Sequence, residues 1–376
     1  MKICSPCCGA APETRSGGEA YERDVLAGLV EVGDAPHVLL ARGKPVAPIL
    51  EERVESVRPG RGLRWWAMPW VMAPAILRCW RRHGFDLLRC HAPLYLGPAC
   101  LLAQRLGVTA PLVVHVHHLD EDERARTRLE VAVARRASLV VTDSAWSKWR
   151  LVAHGVAASK VRVVHCGVSG LYKPAPIRTW SGGLIVAVGP LIPRKRPLEL
   201  IRMVAAIPAS AGPRLLVWLG DGPLGPAAMA EAKRLGVSFS WLRTWSDDAK
   251  RALFSVATVF AHAATVEGFP LAPLEAMGCG VPVVAFNAGP MPEMVKHGYC
   301  GLLAADLSGD FSRRLGSLLR SPHVAREYGV NAAIRVGENF RTVEMVYGLR
   351  SVYAEATMLE PMFPTVREAM EAARRR

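Results

Sequence analysis

Short apolar runs punctuate this chain, and the stretches between them carry apolar residues three and four positions apart. Residues 112–116, 138–142, 161–165, 184–188 and 215–219 are rich in Val and Leu and nearly free of charge, as strands covered on both faces are. Runs of that kind alternating with helical spacing predict parallel α/β sheets. At 173–183 the sequence KPAPIRTWSGG interrupts every period with prolines and glycines, so the join between two such sheets is placed there. Beyond Asn339 the spacing is helical, and the last three residues are arginines. No internal repeat or low-complexity tract is visible.

The richest stretch is 266–286, VEGFPLAPLEAMGCGVPVVAF. Glu267 and Gly268 end an irregular segment. Phe269, Pro270 and Leu271 then open a predicted helix with the proline where it costs no hydrogen bond. Glu275 falls one to two turns inside, Gly278 and Gly280 stop the helix, and 281–286 is apolar enough for a buried strand. The first turn of such a helix leaves backbone N–H groups unpaired at the positive end of the dipole, where a phosphate or pyrophosphate binds well. An acidic residue on each side could grip hydroxyl groups of whatever carries the phosphate. Two solvated charges on an ordinary β-α-β turn would read the same way.

Composition narrows the choice. With 376 residues, 51% of them hydrophobic, and 33 glycines, the chain suffices for two domains with separate cores. No secretory leader is apparent at 1–18. The longest apolar run, 65–77, contains Pro69 and Pro74 and is well short of the roughly 20 residues that cross a bilayer. Nine scattered cysteines fit a reduced, cytoplasmic protein better than a disulfide framework. Cys4, Cys7 and Cys8 suggest zinc, but no second ligand pair follows at a finger-like spacing. The net charge of +14 calls for a partner. No helix-turn-helix, zinc-finger or aromatic RNA-binding pattern accompanies it, so nucleic acid is not expected. The basic excess is concentrated at 58–89, where seven arginines face one acid, Asp86, among Trp65, Trp66, Trp70 and Trp80. Such a stretch suits an anionic membrane surface, or else residues 70–80 pack into a core with the arginines flanking it. Finally, Gly220, Gly222 and Gly225 spell G-x-G-x-x-G after a predicted strand, the fingerprint of a dinucleotide-binding oxidoreductase, though no catalytic pair surrounds it.

The 266–286 segment resembles the E-x7-E signature of the retaining glycosyltransferases of family 4, matching as E-G-F-P-L-x-P-L-E-A-M-x-C-G-x-P-V-V-A. Other segments resemble the family's motifs in the family's order from residue 1 to about 355. They are Gly17-Gly18-Glu19 at the start of the first helix, His115-Val116-His117 after a strand, VTDS at 141–144, HCGV at 165–168, Val188-Gly189 with Arg194-Lys195, LGDGP at 219–223, and PEMV at 292–295 with Gly298 and GLL at 301–303. An ordered series is far more specific than any one member.

The resemblance implies the GT-B fold, an α/β architecture of two Rossmann-like domains facing across a cleft. Residues 1–175 would form the acceptor-side domain and 176–339 the nucleotide-sugar domain, with 340–376 supplying helices that cross back to the first domain and a basic tail. It implies a sugar moved from a nucleotide-sugar donor to a glycan or lipid-linked acceptor in cell-envelope or polysaccharide biosynthesis, with retention of configuration. The acceptor hydroxyl would attack from the leaving group's own face and a diphosphate oxygen would take its proton, so neither a protein nucleophile nor a metal or other cofactor is called for. Lys195 matches the lysine that neutralises the departing diphosphate, with Gly17, Gly18, Gly189 and Arg194 around the donor. Glu275 matches the ribose ligand and Glu267 the residue facing the transferred sugar. Backbone amides of Gly268, Phe269, Pro270 and Leu271 would lie at the phosphate, although proline itself has no N–H to give. His117 matches the histidine near the sugar, with His115 and His118 close by. Pro190 stands where the family usually has arginine, so full activity depends on Arg194 or Arg196 supplying that charge. A protein that binds a nucleotide or partner without turnover is the alternative. Asp120-Glu121-Asp122 spells the D-x-D of metal-dependent transferases, but in a charged helix start that favours a solvated or capping role. The base contacts are expected in a loop at 239–245, FSWLRTW. Several membrane-associated relatives dock through the first domain, which places this chain in the cytoplasm with a peripheral position on the inner face of the membrane.

Overall fold

The computed structural model describes residues 1–359 except 13, 15, 42, 58–66, 118, 120–123, 176–182, 213 and 306–308. It divides into two compact units. One runs from Met1 to His165 and resumes at Thr342; the other is Cys166–Arg341.

The first unit contains β1 (Lys2–Cys7), α1 (Gly17–Glu31), β2 (Ala35–Ala41), β3 (Val54–Val57), α2 (Met68–His83), β4 (Leu87–Cys90), α3 (Pro93–Arg105), β5 (Leu112–His115), α4 (Arg124–Arg136), β6 (Leu139–Thr142), α5 (Ala145–Ala153) and β7 (Val161–Val163). The strands form one parallel sheet in the order β3-β2-β1-β4-β5-β6-β7. The second unit contains β8 (Leu184–Val188), α6 (Pro197–Ala205), β9 (Leu215–Leu219), α7 (Gly225–Leu235), β10 (Ser238–Leu242), α8 (Asp247–Val256), β11 (Val259–His262), α9 (Leu271–Gly278), β12 (Val283–Phe286), α10 (Met291–Met294), β13 (Gly301–Ala304), α11 (Asp310–Arg320) and α12 (Pro322–Asn339). Its sheet is also parallel, in the order β10-β9-β8-β11-β12-β13. The final helix, α13 (Thr342–Met358), belongs to the first unit.

Both sheets are doubly wound in the Rossmann order. In each, the first strand lies beside the fourth of its own unit, so the chain reverses direction across the β1/β4 and β8/β11 pairs. Loops leaving the C-terminal ends of those strands open a crevice, and ligands of such sheets bind there. Strands β4, β5, β6, β11 and β12 are buried along their whole length, which explains why they are mostly apolar. Serine caps start some of the helices. Ser144 accepts the Ser147 N–H at 3.0 Å to start α5, and Ser246 accepts that of Ala249 at 3.1 Å to start α8. Helix α13 buries Met345, Val346, Leu349, Val352, Tyr353 and Ala356. It crosses α1 so closely that a Cβ on Gly28 would lie 2.5 Å from Val346 Cγ2.

Three expectations change. Residues 239–242 are not a loop but most of β10, an edge strand paired with β9. Trp241 lies over the start of α7, where a Cβ on Gly225 would meet its ring at 2.0 Å. Arg89 does not belong to a surface stretch: it is fully buried at β4 against Glu22 of α1, Nη1 to Oε2 at 2.7 Å. The tryptophans of α2 part company, Trp70 being 71% exposed and Trp80 packing edge-on against Phe85 at 4.9 Å. Trp65, Trp66, the join at 176–182, the Asp120-Glu121-Asp122 segment and the basic tail lie outside the described residues.

Candidate functional site

In the second unit, the loops after β8 and β11 bring Gly189, Arg194, Lys195 and Glu267 together. Gly189 leaves β8 with φ +140°, and a Cβ there would press on Lys195 Cε at 3.2 Å. A 3-10 turn, Pro193–Lys195, follows, closed by Arg196 at φ 55°. That is a left-handed conformation which a non-glycine residue adopts at some cost. The turn aims two cations at one carboxylate: Lys195 Nζ is 2.5 Å from Glu267 Oε1, and Arg194 Nη1 is 2.6 Å from Oε2. Arg196 goes elsewhere, its guanidinium 5.7 Å from the ring centre of Phe286. Pro190 is exposed beside this turn.

Glu267 is only 8% exposed. Burial pushes its carboxyl upward, but Lys195, His262 and Arg194 outweigh that and hold it at about 2. His262, the last residue of β11, belongs to none of the motifs above. It is buried, and its Nε2 has no hydrogen-bond partner. Burial and then Lys195 push it down to about 3, with Glu267 opposing and Arg194 adding to the fall, so the imidazole is neutral. Gly268, Phe269 and Pro270 are buried and Leu271 is half-buried at the start of α9. Phe269 is an anchor, its ring 5.6 Å from that of Phe340.

Glu275 sits one turn into α9 and is already engaged. Lys250 Nζ of α8 reaches its two oxygens at 3.1 and 3.0 Å and Asp247 at 3.1 Å. Tyr172 donates to Asp247 at 3.1 Å, bonds to Glu275 as well, and presents its ring to Lys250 at 4.9 Å. Burial raises the Glu275 carboxyl and Lys250 counters only part of that rise. A sequence signal for Lys250 existed: it lies one turn before the buried Phe254 on the inward face of α8, where a lysine needs an acidic partner.

The glycines of the G-x-G-x-x-G segment are spent internally. A Cβ on Gly220 would sit 1.8 Å from the Gly189 carbonyl oxygen, and one on Gly222 would sit 2.5 Å from that of Leu191. They allow two backbone segments to touch, which removes the structural basis for a dinucleotide fingerprint.

The first unit has its own polar cluster at β1/β4. Gly17 and Gly18 start α1 beside it and are exposed. His115 is fully buried, its Nδ1 3.2 Å from the Tyr21 hydroxyl and its Nε2 3.0 Å from that of Tyr353. His117 is the accessible one, its side chain 27% exposed. His118 lies outside the described residues. His117 Nδ1 is 2.7 Å from Asp143 Oδ2, and its Nε2 is 3.0 Å from His91 Nδ1. His91 Nδ1 is in turn 3.3 Å from Glu22 Oε2, and Tyr21 stacks on the His91 ring at 5.6 Å. Burial pushes His91 down to about 3 despite Glu22. Arg89 completes the cluster by donating to Glu22 and, through Nε, to Tyr353 at 2.8 Å. His91, Asp143, Glu22 and Arg89 were not expected at a site from sequence.

Among the described residues no three His, Cys, Asp or Glu side chains are grouped to hold a metal ion. Cys4 and Cys7 are buried with free thiols. No described helix is long and apolar enough to cross a membrane.

Two family models match the chain, Glycosyltransferase Family 4 over residues 15–169 and Glycosyl transferases group 1 over residues 181–335. An MMP alpha-(1->4)-mannosyltransferase of Mycolicibacterium hassiacum is 29% identical over 304 residues, covering 73% of this chain and 72% of that protein. Among solved structures, a sucrose-phosphate synthase from Thermosynechococcus elongatus superposes with a TM-score of 0.81 at 18% identity, covering 94% of this chain and 98% of the other. An Anabaena protein in complex with UDP-glucose superposes with a TM-score of 0.76 at 22% identity, covering 94% and 100%.

Proposed function

The chain belongs to the family 4 glycosyltransferases of GT-B fold, and from that premise we propose that it moves a sugar, with retention, from a nucleotide-sugar donor to a glycan or lipid-linked acceptor in cell-envelope or polysaccharide biosynthesis. The observation that carries the donor half is the convergence of Lys195 and Arg194 on Glu267 at the β8/β11 crevice. Two fixed cations there would stabilise the charge that grows on a departing diphosphate, and such preorganised charge is worth most in a water-poor site. In this reading Arg194, paired with Glu267, supplies the charge that Pro190 does not, and a binder without turnover is the alternative.

In this reading the amides at the start of α9 receive the phosphate, Glu275 holds the ribose, and Glu267 faces the transferred sugar, as does His117 on the first unit. The acceptor hydroxyl attacks on the leaving group's face, the glycosidic bond to the diphosphate breaks, and a diphosphate oxygen takes the proton. A protein nucleophile is not needed, nor is a metal ion. The test is a panel of UDP-, GDP- and ADP-sugars scored for thermal stabilisation and then for transfer or slow hydrolysis. A true donor at a hundred times its dissociation constant should add about 2.7 kcal/mol. Stabilisation by nucleotides with no turnover of any sugar would leave only a binding protein.

A lipid-linked acceptor on the inner face of the cytoplasmic membrane is supported by α2. Trp70, Pro74, Arg78, Arg81 and Arg82 all face solvent at the three- and four-residue spacing of a single stripe. A tryptophan at headgroup level with guanidiniums on phosphates is an interfacial arrangement. The protein should co-sediment with anionic vesicles, be released by salt, and lose binding when Arg78, Arg81 and Arg82 become Glu. No binding at low salt would favour a soluble acceptor.

A further inference from the structure

The hydrogen bonds of the first-unit cluster constrain where its histidine protons sit. A neutral imidazole has one N–H and one lone pair. Asp143 is buried and, ionised, can only accept, so the Asp143 contact at 2.7 Å places the His117 proton on Nδ1. His117 Nε2 then carries a lone pair, and His91 Nδ1 at 3.0 Å must supply the N–H that meets it. The same nitrogen lies 3.3 Å from Glu22 Oε2, whose charge Arg89 holds in place at 2.7 Å. Both nitrogens of the accessible histidine are therefore taken. A ligand hydroxyl that donates to His117 must displace His91, and Glu22 is already placed to receive what is displaced.

We propose that Asp143 and His91 are positioning residues for His117. Asp143 fixes the proton on Nδ1 so that Nε2 presents a lone pair. His91 occupies that lone pair until a hydroxyl of the transferred sugar replaces it, and the His91 N–H then passes to Glu22. No bond other than hydrogen bonds is made or broken, and the number of protons on the cluster is unchanged. The ring of His117 is also held edge-on by Tyr21 at 4.5 Å, so it keeps its orientation while partners exchange. The proposal rests on the sugar-transfer reading of His117.

Selective 15N labelling of histidine in the full chain, with long-range proton–nitrogen correlations and His117→Gln to assign the resonance, reads the proton's position directly. The wild type should show a proton on His117 Nδ1 and a lone pair on Nε2. Asp143→Leu, of similar size, should move the proton to Nε2 and lower kcat/KM for the donor by about tenfold, the scale of one well-placed hydrogen bond. His91→Phe, which preserves the stacking on Tyr21, should leave the tautomer as it was and lower the donor KM by about fivefold, the effect of removing a competing hydrogen bond. A His117 proton found on Nε2 in the wild type, with that of His91 turned to the Gly18 backbone, would overturn the proposal, and so would a raised KM in His91→Phe. If the proton is on Nδ1 but no nucleotide sugar is ever turned over, the sugar-transfer reading falls and the hydrogen-bond assignment stands.

Discussion

Replacing Glu267 by Gln removes the carboxylate that Lys195 and Arg194 share. The consequence differs for folding and for ligand binding. Losing one partner of a buried ion pair costs about 3 to 5 kcal/mol. The Arg194 side chain is 34% exposed while those of Lys195 and Glu267 are 13% and 11%, so the expected loss lies at the lower end, about 3 kcal/mol. A domain of ordinary stability survives that. A nucleoside diphosphate brings its own negative charge to the same two cations, and in the wild type it must compete with Glu267 for them. The variant should therefore be less stable alone yet bind the diphosphate as tightly or up to about tenfold more tightly, roughly 1.4 kcal/mol, while losing transfer. Thermal unfolding with and without UDP, GDP or ADP, paired with calorimetry, separates the two effects. Weaker diphosphate binding in Glu267→Gln would show that the carboxylate holds the ligand rather than the cations, and the reasoning would fail.

Other expectations follow from the same geometry. Lys195→Ala should lower turnover by on the order of a hundredfold, as loss of one preorganised donor does, and near-normal turnover would remove Lys195 from the site; EDTA should change nothing. Glu275→Gln should weaken diphosphate binding, and Lys250→Met should do so as well by releasing the carboxylate it orients; calorimetry showing that Glu267→Gln weakens that binding as much as Glu275→Gln would contradict the division of roles. Stability should fall as pH drops below about 6.5, because unfolded histidines take up protons there while His91 and His262, held at about 3, and His115, held well below its usual value, do not. Each contributes up to about 1.4 kcal/mol per pH unit. The Glu267 contribution is intact above about 4.5 and is lost only between there and about 2, so a flat profile from pH 6.5 to 5 would refute the neutral-histidine assignment.

Strands β5, β6, β8, β9 and β12 were legible because burial leaves a mostly apolar run. Strand β10 was not. It is an edge strand whose side chains are only half-covered, and its Ser-Phe-Ser-Trp alternation looked like a loop. Glu267, Lys195 and Glu275 could be singled out because the residues around them form short local motifs. Their partners were not, since they arrive from afar: His91 stands 26 residues from His117, Lys250 25 residues from Glu275, and Tyr172 75 residues from Asp247. Arg89 was misread for the same reason. Counted with its neighbours it was one more surface cation, whereas the glutamate that draws it inside is 67 residues away. Local pattern reports burial well, but it cannot report which charges meet.

The ring of contacts around Arg89 also sets an order of events during synthesis. Its Nε bond goes to Tyr353, 264 residues later in the chain, and the hydroxyl that completes His115 is the same one. At about 5 to 20 residues per second, a nascent chain waits roughly 13 to 50 seconds between making Arg89 and making the group that satisfies it. All of Cys166–Arg341 emerges in that interval. The half of the protein that begins first is thus finished last, and a ribosome stalled before α13 would display a sheet whose central arginine and histidine still lack their final partner.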